Sequence, residues 1–155
     1  MGNAWAVGDV IGVSESAEAA GAVASTPVFA EWSFPAEAGS VRTARALVRE
    51  ALSDWGLHAV IDVTELLVSE LVTNAMRYTS GPISLRMRSR ATPVEGRVLV
   101  VEVSDPVEDP PHERVATPDD EGGRGLQLVA CASIRWGTRC GKTGKTVWFE
   151  LALPG

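Results

Sequence analysis

The sequence predicts an α+β two-layer sandwich, a mostly antiparallel mixed sheet with helices packed on one face, in the order β-α-α-β-β-α-β-β. Three observations predict it. Apolar residues recur at three- and four-residue spacing through two long stretches, 37–55 and 58–79. Runs of β-type composition occupy 28–34, 83–88, 97–105, 133–139 and 146–153. Short polar connections at 92–96 and 141–145 make the strands that flank each of them neighbours.

Each element follows from its residues. Val28-Phe29-Ala30-Glu31-Trp32-Ser33-Phe34 alternates and is aromatic, and Pro35 stops it. From Glu37 to Trp55, Val41, Ala44, Leu47, Val48, Ala51 and Leu52 form one apolar side, with Ser40 as a late cap and Gly56 as terminator. Arg42, Arg45 and Arg49 on that helix read as a solvated face. The second helix, His58 to Thr79, carries the strongest helical signal. Leu67, Leu71, Ala75 and Tyr78 make its stripe, flanked by Val60, Ile61, Val68 and Val72, and Gly81-Pro82 closes it. Ile83 to Arg88 has period two, and Arg97 to Asp105 is its antiparallel neighbour with one buried side. Residues 106–123 hold four prolines and many acids and read as a long loop. Leu126, Val129 and Ala130 then mark a short helix opened by Gly122-Gly123-Arg124-Gly125, before the last two strands.

The chain has 155 residues, 45% of them hydrophobic, which suits one domain with a substantial core. Residues 1–27, rich in Ala, Gly, Ser and Val, read as a flexible tail, and 28–155 as the single domain. A net charge of −6 opposes attraction to nucleic acid or to an anionic membrane and favours a protein or small-molecule partner. Cys131 and Cys140 have no paired spacing, so a disulfide scaffold or zinc cluster has no support. No Lys or Arg precedes Arg42 and no run approaches the roughly 20 apolar residues of a membrane span, so a cytoplasmic protein is expected.

Three clusters bear chemistry. Glu70 and Asn74 are one turn apart at the edge of the long helix, where asparagine has no advantage as a helix former. A carboxylate and an amide there suit a hydrated divalent cation, or simply a solvated polar pair. Asp105 ends a strand and suits an exocyclic amine, or merely the strand end. Gly122-Gly123-Arg124-Gly125 before a helix offers backbone N–H groups to a phosphate, although glycines before helices are common.

Taken together, Ser69-Glu70-Leu71-Val72-Thr73-Asn74-Ala75, Gly123-Arg124-Gly125-Leu126-Gln127-Leu128-Val129 and Gly144-Lys145-Thr146-Val147-Trp148-Phe149 resemble GHKL-type (Bergerat-fold) ATP-binding domains. The first is similar to that family's N box and the second to its second glycine box. The likeness runs from Phe29 to Leu153 and is strongest to the stand-alone anti-sigma factor serine kinases. It implies ATP and Mg²⁺ as cofactors, with Asn74 coordinating the Mg²⁺ that bridges the phosphates and Glu70 as the general base toward a serine hydroxyl. It further implies that Asp105 contacts the adenine amine. Gly123, Gly125 and Leu126 would belong to the phosphate loop, Arg124 would add charge, and Thr146 would support the adenine end. The partners implied are a sigma factor or a small anti-sigma factor antagonist, with transcription regulated through them and with the sheet and first helix available for a homodimer.

Two departures stand out. Family members continue the adenine-contacting aspartate as Asp-x-Gly, whereas this chain reads Asp105-Pro106-Val107, and Arg77 stands where a histidine is common. The first departure motivates an alternative, a GHKL-fold module with weak or no catalysis that acts by protein binding alone.

Overall fold

A computed structural model of the chain describes residues 27–106, 121–141 and 144–154. Its elements are β1 (Phe29–Phe34), α1 (Gly39–Asp54), a 3₁₀ turn (His58–Val60), α2 (Ile61–Tyr78), β2 (Ile83–Thr92), β3 (Gly96–Asp105), α3 (Glu121–Ala132), β4 (Arg135–Gly141) and β5 (Gly144–Ala152). The order is the expected one. The tail reading for the first 26 residues and the loop reading for 107–120 lie outside the described residues.

The strands lie in the order β1-β2-β3-β5-β4, and all four pairings are antiparallel, so no parallel component is present among the described strands. The sheet's buried side is built from Ala30, Trp32, Phe34, Ile83, Leu85, Met87, Leu99, Val101, Val103, Val147, Phe149 and Leu151. Against it pack Ala44, Val48, Ala51 and Leu52 of α1 and Leu67, Val68, Leu71, Val72 and Ala75 of α2. Each fully buried Leu or Phe contributes roughly 1.5–3 kcal/mol of transfer free energy, which is why these periodic positions dictate the layers.

Several boundaries shift for physical reasons. Ser40 is no helix cap: the cap position is Ala38, with no side-chain hydrogen bond, while the Ser40 hydroxyl donates to the Pro35 carbonyl at 2.6 Å. Gly56 does terminate the first helical segment, at φ +76°. Residues 58–60 tighten into the 3₁₀ turn, so the second α-helix starts at Ile61. β2 runs on to Thr92, because pairing with β3 continues to the Thr92–Gly96 turn. The third helix begins at Glu121, which places Gly122 to Gly125 within the helix and not before it, and Ala130 faces solvent.

The other face of the sheet carries charge. Glu102, 7% exposed, accepts from Arg86 at 3.4 Å and from Arg139 at 3.0 Å. Glu150 pairs with Arg90 at 2.6 Å and Arg135 at 2.9 Å, and Arg135 also reaches Glu95 at 3.0 Å. Two arginines per buried carboxylate supply the hydrogen bonds that make such burial tolerable. The Arg135 guanidinium holds the Glu95 carboxyl below its ordinary 4.5, chiefly by hydrogen bonding. A carboxylate depressed on folding contributes stability above its unfolded value, and loses it as pH falls through the folded one. Wild type should therefore lose slightly more melting temperature than Glu95→Gln on acidification below pH 4.5. Equal losses in the two proteins would show that the exposed pair contributes nothing measurable.

Candidate functional site

α2 positions the first two candidates. Leu71 and Ala75 are buried and Thr73 and Arg77 exposed, and Glu70 and Asn74 lie half-buried between them. Among the described residues no hydrogen bond or ion pair engages either side chain. A carboxylate and an amide side by side at a half-buried helix edge can serve a ligand.

One turn further on, Tyr78 continues the same row. Its ring lies 5.3 Å from the Lys145 ammonium, centroid to Nζ. Lys145 in turn faces Asp105 across the β3–β5 pairing, with Nζ 3.8 Å from Oδ2 and side-chain exposures of 7% and 2%. Glu70, Asn74 and Tyr78 thus form a row of roughly 12 Å along the helix axis that leads to Asp105. Lys145 thus links the C-terminal end of the α2 row to the end of β3. α3 packs beside α2, with Val129 buried and Leu126 and Leu128 partly buried against the core. Gly123, Arg124 and Gly125 are the third to fifth residues of α3, and only the backbone N–H groups at the very start of that helix lack intrahelical acceptors.

Thr146 is not brought to Asp105. Side chains alternate along β5: Lys145 shares the helix-facing side with Val147, Phe149 and Leu151, and Thr146 points to the charged face with Glu150. There its hydroxyl lies 2.6 Å from that of Ser104, its register partner. Sequence reading overlooked Lys145 and the role of Tyr78. The missed signal was a lysine in register with the buried residues of an alternating strand.

Two close approaches shape the Asp105 end. Gly144 has φ +144°, and a Cβ there would lie 1.9 Å from the Asp105 carbonyl oxygen. A Cβ on Gly81 would meet Pro106 Cγ at 2.6 Å, so the Pro106 ring seats against the turn after α2. Pro106, at the variable position of Asp-x-Gly, is accommodated by a glycine elsewhere in the chain.

Among the described residues no group of three or more His, Cys, Asp or Glu could hold a metal by itself. The Asn74 amide oxygen is a hard donor with no partner among the described residues, and it fits a Mg²⁺ that takes its remaining ligands from phosphates and water. No described helix is long and apolar enough to cross a membrane.

Comparison with known proteins places this two-layer fold. The family model for the histidine kinase-like ATPase domain matches residues 34–151, and the chain belongs to that family. Among solved structures it is similar to the RsbU and RsbW domains of Rv1364c from Mycobacterium tuberculosis, at 21% identity and a TM-score of 0.59, over 81% of this chain. That likeness is one of fold, and the chain spans only 32% of the other chain's length. No curated protein sequence matches.

Proposed function

We propose that the chain binds Mg-ATP along the α2 row and uses it as an anti-sigma factor type serine protein kinase, phosphorylating a protein antagonist and so regulating transcription. The observation that carries this reading is the pair Glu70 and Asn74, half-buried one turn apart and unengaged among the described residues. Family membership supports the nucleotide, and the fold likeness to a structure containing an RsbW domain supports the regulatory setting.

Bound Mg²⁺ supplies neutralisation of phosphate charge, and Asn74 would be its protein ligand. The Glu70 carboxylate takes the proton from the partner's serine Oγ as the Oγ–P bond forms and the bond from the γ-phosphorus to the ADP oxygen breaks. Gly123, Arg124 and Gly125 near the start of α3 would approach the phosphates, with Leu126 behind them. Asp105 accepts from the adenine amine.

Mg-ATP at about a hundred times its dissociation constant should stabilise the fold by about 2.7 kcal/mol. For a domain of this size that is a rise of roughly 5–10 °C in melting temperature. Asn74→Ala should lose most of the rise. No shift at millimolar Mg-ATP, with Asn74→Ala indistinguishable from wild type, would sink the reading.

A second reading, a module that keeps the fold and acts by protein binding with weak or no catalysis, is favoured by one feature. The Asp105 carboxylate is 2% exposed and already faces Lys145. Phosphate transfer separates the two readings.

A further inference from the structure

The helices cover one side of the sheet, and the other side is a surface of arginines laid over carboxylates. Alternation along the strands puts Arg86, Arg88 and Arg90 of β2 and Arg135 and Arg139 of β4 there. Glu102 and Glu150 lie beneath, their side chains 9% and 6% exposed, whereas the arginines that pair with them range from 40% exposed for Arg90 to 57% for Arg139. A guanidinium has five N–H donors, and Arg139 spends one on Glu102 at 3.0 Å. Half-buried Arg88 has no carboxylate partner among the described residues. With Glu31 and Glu95 at the rims, five arginines face four glutamates, so this side is positive on a chain of net charge −6. The half-buried Trp148 indole lies across Gly137, between the two β4 arginines: a Cβ on Gly137 would meet its Cζ2 at 2.9 Å. Arginine and tryptophan are enriched, and lysine depleted, where proteins dock, and no lysine stands on the described part of this face.

We infer that this face docks a short acidic segment of a protein partner, whose carboxylates take the outward N–H groups of the arginines around Trp148. Charge complementarity selects that occupant. A second copy set face to face would bring guanidinium against guanidinium, because the carboxylates lie beneath. Nucleic acid and anionic membrane extend past the patch and meet the acidic remainder of the chain. A short segment ends within the patch, where its carboxylates form charge-assisted, fork-like pairs with arginine. The inference stands apart from the nucleotide reading, since the sheet separates this face from α2.

The test titrates labelled poly-L-glutamate into the full chain at about 0.15 M salt, where exposed charges more than about 8 Å apart are largely screened. Wild type should bind, and Arg88→Gln/Arg139→Gln should bind about tenfold or more weakly, the loss expected for hydrogen bonds between charged groups. Arg42→Gln/Arg45→Gln removes the same charge from the exposed side of α1 and should change binding by less than about twofold. Should the first double variant fail to fold, Arg88→Gln alone breaks no ion pair among the described residues and should still weaken binding by about threefold. No binding by wild type, or equal losses from the β-face and α1 variants, overturns the inference. So does tighter binding of duplex DNA or of phosphatidylserine vesicles that is lost with the same arginines. A wild-type dimer in sedimentation that Arg88→Gln dissociates would give the face to a second copy and overturn it as well.

Discussion

Gly144→Ala is expected to lower the melting temperature by roughly 6–12 °C, from a loss of about 3 kcal/mol or more. Two causes add. The backbone at φ +144° is one that side-chain-bearing residues rarely adopt, and the new Cβ would meet the Asp105 carbonyl oxygen at 1.9 Å and its carbon and Pro106 Cα at 2.9 Å. Those neighbours are backbone atoms, so they cannot swing aside as a side-chain tip would. The start of β5 must move off the end of β3, at the point where Lys145 faces Asp105. Gly96→Ala separates the causes, because Gly96 also has a positive φ, +79°, but nothing within 4 Å of its added Cβ. Thermal unfolding of both variants checks the expectation. Equal losses would mean that the approach at Asp105 relaxes freely.

Glu70→Gln is expected to leave Mg-ATP binding near wild type and to reduce phosphate transfer to a co-purified protein partner by roughly 10²–10⁴-fold. Glutamine keeps the size and hydrogen-bonding reach of the side chain but cannot take the serine proton. Asn74→Ala should behave differently, weakening nucleotide binding itself, since it removes the proposed metal ligand. Labelled ATP and a thermal shift, run on both variants, read the two effects apart. Label transferred equally by wild type and Glu70→Gln would remove Glu70 from the base role. A wild type that binds Mg-ATP but transfers no label would favour the binding-only module.

Much of the molecule was legible in advance. Leu67, Leu71 and Ala75 at helical spacing, and Trp32, Leu85 and Phe149 at strand spacing, dictate which sides are buried, because the gain from burial is non-directional and follows period alone. Helix ends were less legible. Ser40 looked like a cap, yet its hydroxyl is used by the Pro35 carbonyl of the preceding turn. Glycines at 122–125 looked like a lead-in, yet the helix includes them, an example of tertiary packing overriding a propensity cost of about 1 kcal/mol per residue.

The sequence by itself determined the element order, the buried faces and the Glu70/Asn74 pair, all of which are properties of residues close together in the chain. Only the tertiary structure decided what meets at the Asp105 end. Asp105 and Lys145 are brought opposite each other by the β3–β5 register, and one step of register moves every side chain to the other face of a sheet. That single step separates Lys145, which faces Asp105 on the helix side, from Thr146, which lies on the charged face among the arginine pairs. Local spacing carries no information about that choice until the two strands are in place.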